Sequence, residues 1–332
     1  MIDYRTGAPR MKGEKDVIAM KYMHIQGVDK PISRLIMGTG DLRKLEEQER
    51  MMLNAYIQAG GNTFDTAHQY RGKEQRLGQW LAEMKLRDKV VILTKGAHHD
   101  DGSPGPRVNA PSIRKDLLES LERLGTDYVD LYALHRDDPD APVEPVIEEL
   151  NEHLEAGRIR AIGASNWSFK RIMQANAYAA AHQLRGFAFS SPNLSLAKPN
   201  VPRWEGCVSA DQATCEWHAH NQLPLLAWSA QAGGFFSGSF TPDNRADEEM
   251  VRVYYSDGNW ERYRRAVKLA AKKQATPIQI ALSYVLHQPF PTSAIIGPRS
   301  ADELQASIQA MNLPLTPSEV EWLDLKQEEE PV

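Results

Sequence analysis

Two cysteines in 332 residues, Cys207 and Cys215, are too few for a disulfide framework. They read as incidental thiols of a reducing compartment, so a cytoplasmic protein is expected. Long apolar runs are missing too: no stretch approaches the ~18 residues that cross a bilayer, and the opening MIDYRTGAPRMKGEKD has no apolar core of the secretory-leader kind. A basic surplus is also lacking. The 39 Lys and Arg against 44 Asp and Glu give a formal net charge of -5, without the electrostatic footprint of a nucleic-acid binder. His98, His99, Asp100 and Asp101 are consecutive on a Gly/Pro-rich stretch rather than in the separated pairs of a tetrahedral site, and no metal is expected. Gly38-Thr39-Gly40 is followed by Asp41, Leu42 and Arg43, so the three-glycine fingerprint of an open dinucleotide-binding sheet is absent.

What is present is an ordinary globular composition, 42% hydrophobic and 25% charged, laid out as short apolar runs alternating with longer helical-period segments. Eight runs read as strands: Arg34–Gly38, Asn62–Asp65, Val90–Lys95, Tyr128–His135, Arg160–Ala164, Gly186–Ser190, Pro224–Ser229 and Ser293–Gly297. Between the third and fourth, PSIRKDLLESLERLG places Pro111 in a first helical turn, repeats leucine at helical spacing and ends on Gly125, which predicts a capped helix. Val146, Ile147, Leu150 and Leu154 repeat the pattern ahead of Gly157. Two connections, 96–110 and 233–257, read as long irregular loops. Eight such units without the Rossmann fingerprint predict a (β/α)8 TIM barrel over residues 21–332, with residues 1–20 as an N-terminal extension or hairpin.

A barrel of this kind builds its site at the C-terminal ends of its strands. Asp65, Lys95 and His135 close the second, third and fourth runs, and Tyr70 follows Asp65 closely. An ammonium ending an apolar run needs a partner, and Asp65 on the neighbouring strand is the nearest carboxylate. Lys95 should favour the phenolate of Tyr70 and lower its pKa, while His135 can hold a carbonyl oxygen as Tyr70 protonates it. Singly, each has a plainer reading: Asp65 as a helix cap, Lys95 as a snorkelling side chain, His135 as a turn residue, Tyr70 as packing. Their joint placement is what favours chemistry, and the set lacks a nucleophile and a reductant. Trp204, Phe235, Phe236 and Phe240 fall on loops where substrate would bind, or where aromatics pack their own loop.

The stretch GGNTFDTAHQYRGKEQRLGQWL, with aspartate and tyrosine five residues apart, resembles the aldo-keto reductase signature. ILTK, DLYALHRDD, IGASNWS and IIGPRS follow in family order, so the resemblance covers roughly residues 21–313. It implies an NADPH-dependent carbonyl reductase in which Tyr70 is the general acid, Asp65 and Lys95 tune it and His135 positions the carbonyl. It further implies NADP(H) held by Gly38, Thr39 and Asp65, by Ser165 and Asn166 at the nicotinamide carboxamide, by Trp228 stacked on the ring, and by Ser229, Arg299 and Ser300 at phosphates. Ser191 and Glu303 complete that cofactor set, Ser191 standing where the family usually has glutamine and Glu303, with Ser307, where glutamine and asparagine are frequent at the adenine end; Leu194 stands where an aromatic is common. The expected partner is a small carbonyl or alcohol, with no nucleic acid and no membrane. A non-catalytic NADP(H)-sensing protein of the same fold and a metal-dependent barrel hydrolase are the other readings.

Overall fold

The computed structural model describes residues 20–40, 42, 44–99 and 105–331; the expected extension before residue 20, like Asp100 and Asp101, lies outside them. Two short strands, β1 (Tyr22–Met23) and β2 (Ile32–Ser33), pair antiparallel as an N-terminal hairpin. Eight more close a parallel barrel: β3 (Leu35–Gly38), β4 (Thr63–Asp65), β5 (Val91–Gly96), β6 (Val129–Leu134), β7 (Ile159–Ser165), β8 (Phe189–Ser191), β9 (Leu225–Ala227) and β10 (Thr292–Ile296). The last strand pairs with the first, Ala294 beside Leu35 and Ile296 beside Met37. Around the barrel run α1 (Glu47–Gln58), α2 (Lys73–Met84), α3 (Ala110–Leu124), α4 (Glu144–Glu155), α5 (Phe169–Ala181), α6 (Gln212–Asn221), α7 (Glu248–Tyr254), α8 (Asp257–Lys273), α9 (Pro277–Leu286), α10 (Ala301–Asn312) and α11 (Pro317–Leu323). None of the described helices is long and apolar enough to cross a membrane.

The strands are apolar throughout because both their faces are buried. Ile36, Val91, Leu93, Leu131, Ala133, Ala161 and Phe189 fill the barrel interior, joined from below by Ile25 and Val28 of the hairpin. Their strand neighbours, among them Leu35, Met37, Ile92 and Tyr132, face outward into the larger core under the helices. Each such side chain contributes about 1.5–3 kcal/mol on burial. Gly163 is required where it stands: a Cβ there would lie 2.4 Å from the Phe189 ring, so the interior accepts the phenyl only because β7 has no side chain opposite. The hairpin is seated equally closely. Gly27 adopts φ +91°, and a Cβ on it would meet the Arg160 carbonyl oxygen at 2.7 Å. At this closed end Asp130 of β6, 1% exposed, takes Lys30 of the hairpin at 2.9 Å, Arg87 at 3.0 Å and the Ile92 amide at 3.0 Å.

The expected helix after Pro111 is α3, with Asn109 accepting from the Ser112 amide as N-cap and Gly125 left-handed at φ 64° as C-cap. Two expectations need correction. The connection from 233 to 257 is not irregular throughout: after a kink at Gly233 and Gly234, both with positive φ, α7 starts where Asp247 accepts from the Met250 amide. The sixth strand is shorter and later than Gly186–Ser190, because only Phe189–Ser191 find ladder partners on β7.

Candidate active site

The period-2 alternation that fills the barrel also builds its open end. Along β5 the inward row runs Val91, Leu93, Lys95; along β6 it runs Leu131, Ala133 and then His135 just past the strand; along β7, Ala161, Gly163, Ser165; along β4, Thr63, Asp65. The rows of β5, β6 and β7 are apolar or small below and polar at their last member, and that of β4 is polar at both. These ends open on a cavity of about 1230 Å³ whose lining includes Asp65, Tyr70, Lys95, His135, Ser165 and Asn166.

Lys95 donates to Asp65 Oδ1 and to the Thr66 carbonyl oxygen, the latter at 3.0 Å. Both side chains of the pair are at most 5% exposed. Burial works against the Lys95 charge, yet the facing Asp65 and Tyr70 oxygens hold its pKa above the usual lysine value. The Lys95 ammonium lies 5.3 Å from the centre of the Tyr70 ring, and the His135 ring meets that of Tyr70 edge-on at 5.7 Å. The expected lowering of the Tyr70 pKa is corrected in direction. Desolvation outweighs the pull of Lys95 and leaves the phenol above its ordinary value, so the group is a protonated acid at neutral pH. His135 is pushed the other way, well below the usual imidazole value, by burial first and then by Lys95, Arg136, His98 and His99. It is therefore neutral, and its Nδ1 is buried without a hydrogen-bond partner among the described residues.

The remaining expected residues divide. Gly38, Trp228, Ser229, Arg299 and Glu303 line the same cavity. The Asn166 amide donates to the His135 carbonyl oxygen at 3.1 Å and to Ser165 Oγ at 3.2 Å, and its carbonyl accepts from the Val208 amide at 3.1 Å. Trp228 is half-buried, with its indole nitrogen unpartnered and the Trp204 ring tilted against it at 5.8 Å. Arg299, 81% exposed, is steered by Glu303 at 2.9 Å. Thr39, Ser191 and Ser300 are not part of the lining. Thr39 is sealed, Ser191 donates to the Leu226 carbonyl oxygen at 2.7 Å, and Ser300 spends its hydroxyl as the N-cap of α10, accepting from the Glu303 amide. Of the loop aromatics, Trp204, Phe236 and Phe240 line the cavity, whereas Phe235 packs on Trp260 at 4.7 Å.

The lining fits a dinucleotide. One end offers a proton donor and a neutral imidazole, the middle an indole face, and the far end an arginine at the N-terminus of α10, where backbone amides and the helix dipole favour phosphate. The model of the "Aldo/keto reductase family" matches residues 34–328. The chain belongs to that family. Members treat carbonyl and alcohol groups with a nicotinamide cofactor, and this chain is an oxidoreductase of that kind. It is 27% identical over 313 residues to "Uncharacterized oxidoreductase YrpG" of Bacillus subtilis (strain 168), covering 89% of this chain and 92% of the relative. Norsolorinic acid reductase B of Aspergillus parasiticus is 27% identical over 298 residues, 86% of this chain and 76% of its own. Aryl-alcohol dehydrogenase GME11368 of Pestalotiopsis microspora is 26% identical over 296 residues, 86% and 74% respectively.

Sequence reasoning passed over Arg136. It follows His135 directly and lines the cavity although it is only 9% exposed. Its position one residue past a strand-end histidine was the available signal.

Proposed function

We propose that this aldo/keto reductase is an NADPH-dependent carbonyl reductase, converting an aldehyde or ketone to the alcohol reversibly, with Tyr70 as proton donor. One observation carries the reading: a phenol held protonated by its surroundings, with no hydrogen bond to any described residue, lies in the cavity between a buried ammonium and a neutral histidine. The bound cofactor supplies the hydride. Tyr70 gives its proton to the carbonyl oxygen, and Lys95, fixed by Asp65, stabilises the phenolate that remains. His135 donates a hydrogen bond that holds the carbonyl oxygen near the Tyr70 hydroxyl.

Ser165 and Asn166 orient the nicotinamide amide, Trp228 offers its ring a face, and Arg299 presents a planar fork suited to the 2′-phosphate that only NADP(H) carries. The names of two relatives, an aryl-alcohol dehydrogenase and a reductase of norsolorinic acid, agree with the aromatic wall of Trp204, Phe236 and Phe240 and put aromatic aldehydes first in the assay. The test is a panel of aromatic and aliphatic aldehydes followed by loss of NADPH absorbance. Turnover of one or more supports the reading, and tight NADPH binding with no turnover of any member overturns it.

A further inference from the structure

We infer that Arg136 forms an anion subsite beside the reacting centre, so that the favoured substrate carries a carboxylate as well as its carbonyl. This rests on the reductase reading above. An arginine never loses its charge in a protein, and a cation this buried is costly unless compensated. Buried Lys95 has Asp65, and the half-buried Arg107 has Asp116 at 2.7 Å. Arg136 has none within 4.0 Å among the described residues. Among the described residues its side chain makes two hydrogen bonds, Nε to the Glu205 carbonyl oxygen at 3.2 Å and Nη1 to the His135 carbonyl oxygen at 2.9 Å. A guanidinium has five N–H groups, so its Nη2 edge is left without a protein acceptor.

The surroundings point the same way. The one carboxylate among the reacting residues, Asp65, is committed to Lys95. Around His135 stand Arg136, His98 at 4.7 Å between ring centres, and His99, and both histidines line the cavity. The Glu205 carboxylate is on an exposed residue at the rim. The substrate end of the cavity therefore holds a guanidinium that no carboxylate of the described residues pairs, and a planar two-oxygen anion matches its open edge. The backbone bonds from Nε and Nη1 hold that edge in a fixed direction, which sets the separation between carboxylate and carbonyl in the preferred molecule.

The test uses 2-, 3- and 4-carboxybenzaldehyde and their methyl esters with NADPH, on the wild type and on Arg136→Met and Arg136→Lys. At least one acid should exceed its ester in kcat/KM by about tenfold or more, the worth of a charge-assisted bond. That ratio should collapse in Arg136→Met and return only in part with lysine, which restores the charge without the fork. Alongside, the alcohol products, hydroxymethylbenzoates and their esters, are titrated against the enzyme with NADPH, where no turnover is needed. An acid that binds better than its ester in an Arg136-dependent way supports the subsite even if no aldehyde is reduced. Acids no better than esters in both measurements on the wild type overturn it, whatever the variants do. An Arg136→Met protein that has lost NADPH affinity while keeping the acid-to-ester ratio assigns the guanidinium to the cofactor and overturns it too.

Discussion

Two buried carboxylates stand at opposite ends of the same barrel, and they are satisfied to different degrees. Asp130, at the closed end, has two cations from the hairpin and from the chain ahead of β5, and a backbone amide as well. Asp65, at the open end, has Lys95 alone for its side chain, and beyond that pair lie buried atoms without a hydrogen-bond partner among the described residues, His135 Nδ1 and the Trp228 indole nitrogen. Buried polar groups are normally paired, and each exception calls for an explanation. Saturation at the bottom fixes geometry. Deficit at the top leaves bonds for a ligand to make. The contrast predicts that substitutions at the two ends separate cleanly into loss of stability and loss of chemistry.

The largest effect should come from the open end. Tyr70→Phe removes the proposed proton donor and should lower kcat by 10²- to 10⁴-fold, the usual worth of general acid catalysis, while the urea midpoint and the NADPH dissociation constant stay near wild type. Steady-state rates beside an unfolding curve check both halves, and a variant that loses midpoint instead of rate would erase the distinction. Asp130→Asn is the mirror case. Removing one partner of a buried ion pair costs up to about 3–5 kcal/mol; because the Lys30 and Arg87 side chains keep 25% and 18% exposure, about 2–3 kcal/mol is expected. That should appear as a lowered urea midpoint with cofactor binding unchanged in the folded fraction.

A pH experiment sharpens the comparison further. The His135 imidazole is held well below its ordinary value by burial and neighbouring cations, so below about pH 6.5 the unfolded chain binds a proton that the folded chain refuses. Stability is then full above that pH and falls on acidification, by up to about 1.4 kcal/mol per pH unit for one group. Since His153, His218 and His287 are shifted in the same direction, the informative quantity is the shallower acid slope of His135→Gln against wild type. An unchanged slope would mean that His135 is charged in the folded protein.

Smaller effects belong to the proposed cofactor contacts. Trp228→Ala should weaken NADPH binding by about 0.5–1.5 kcal/mol, and Trp228→Phe should reduce the quenching of intrinsic fluorescence by NADPH. Full quenching in that variant would remove the indole from the nicotinamide. Arg299→Ala, at an exposed and screened position, should cost NADPH a few-fold in affinity and NADH nothing. Equal losses for both would assign Arg299 no part in recognising the 2′-phosphate.

Much of this was legible in the sequence because parallel strands buried on both faces are written as plain apolar runs, and because several of those runs end on a polar residue that lines the cavity, Asp65, Lys95 and His135 among them. Val91, Leu93 and Lys95 show both facts in one strand. Where the ladder is short the text blurs: β8 keeps three residues, and neither Gly186 nor its followers showed where pairing begins. The helix α7 was hidden in a stretch of charged residues whose one cue was the cap at Asp247. The phenol of Tyr70 was misread for a different reason. Spacing shows that an ammonium is near, but not how much water is gone, and burial decides the sign. Arg136 went unseen because pairing is a property of space: no pattern along the chain says that a cation lacks a carboxylate.

The pairing of β10 with β3 has a consequence for the chain as it is made. Residues 35–37 wait for residues 294–296, so during translation the first strand of the barrel has one flank open for roughly 10–50 s at ordinary ribosomal rates of 5–20 residues per second. An unpaired apolar strand is a template for association with any other chain. The nascent protein is thus most exposed to aggregation just before its last strand emerges, and the same late segment brings Arg299 and α10 to the cavity. Closure of the ring and completion of the cavity become a single event, and a chain stalled before residue 292 has neither.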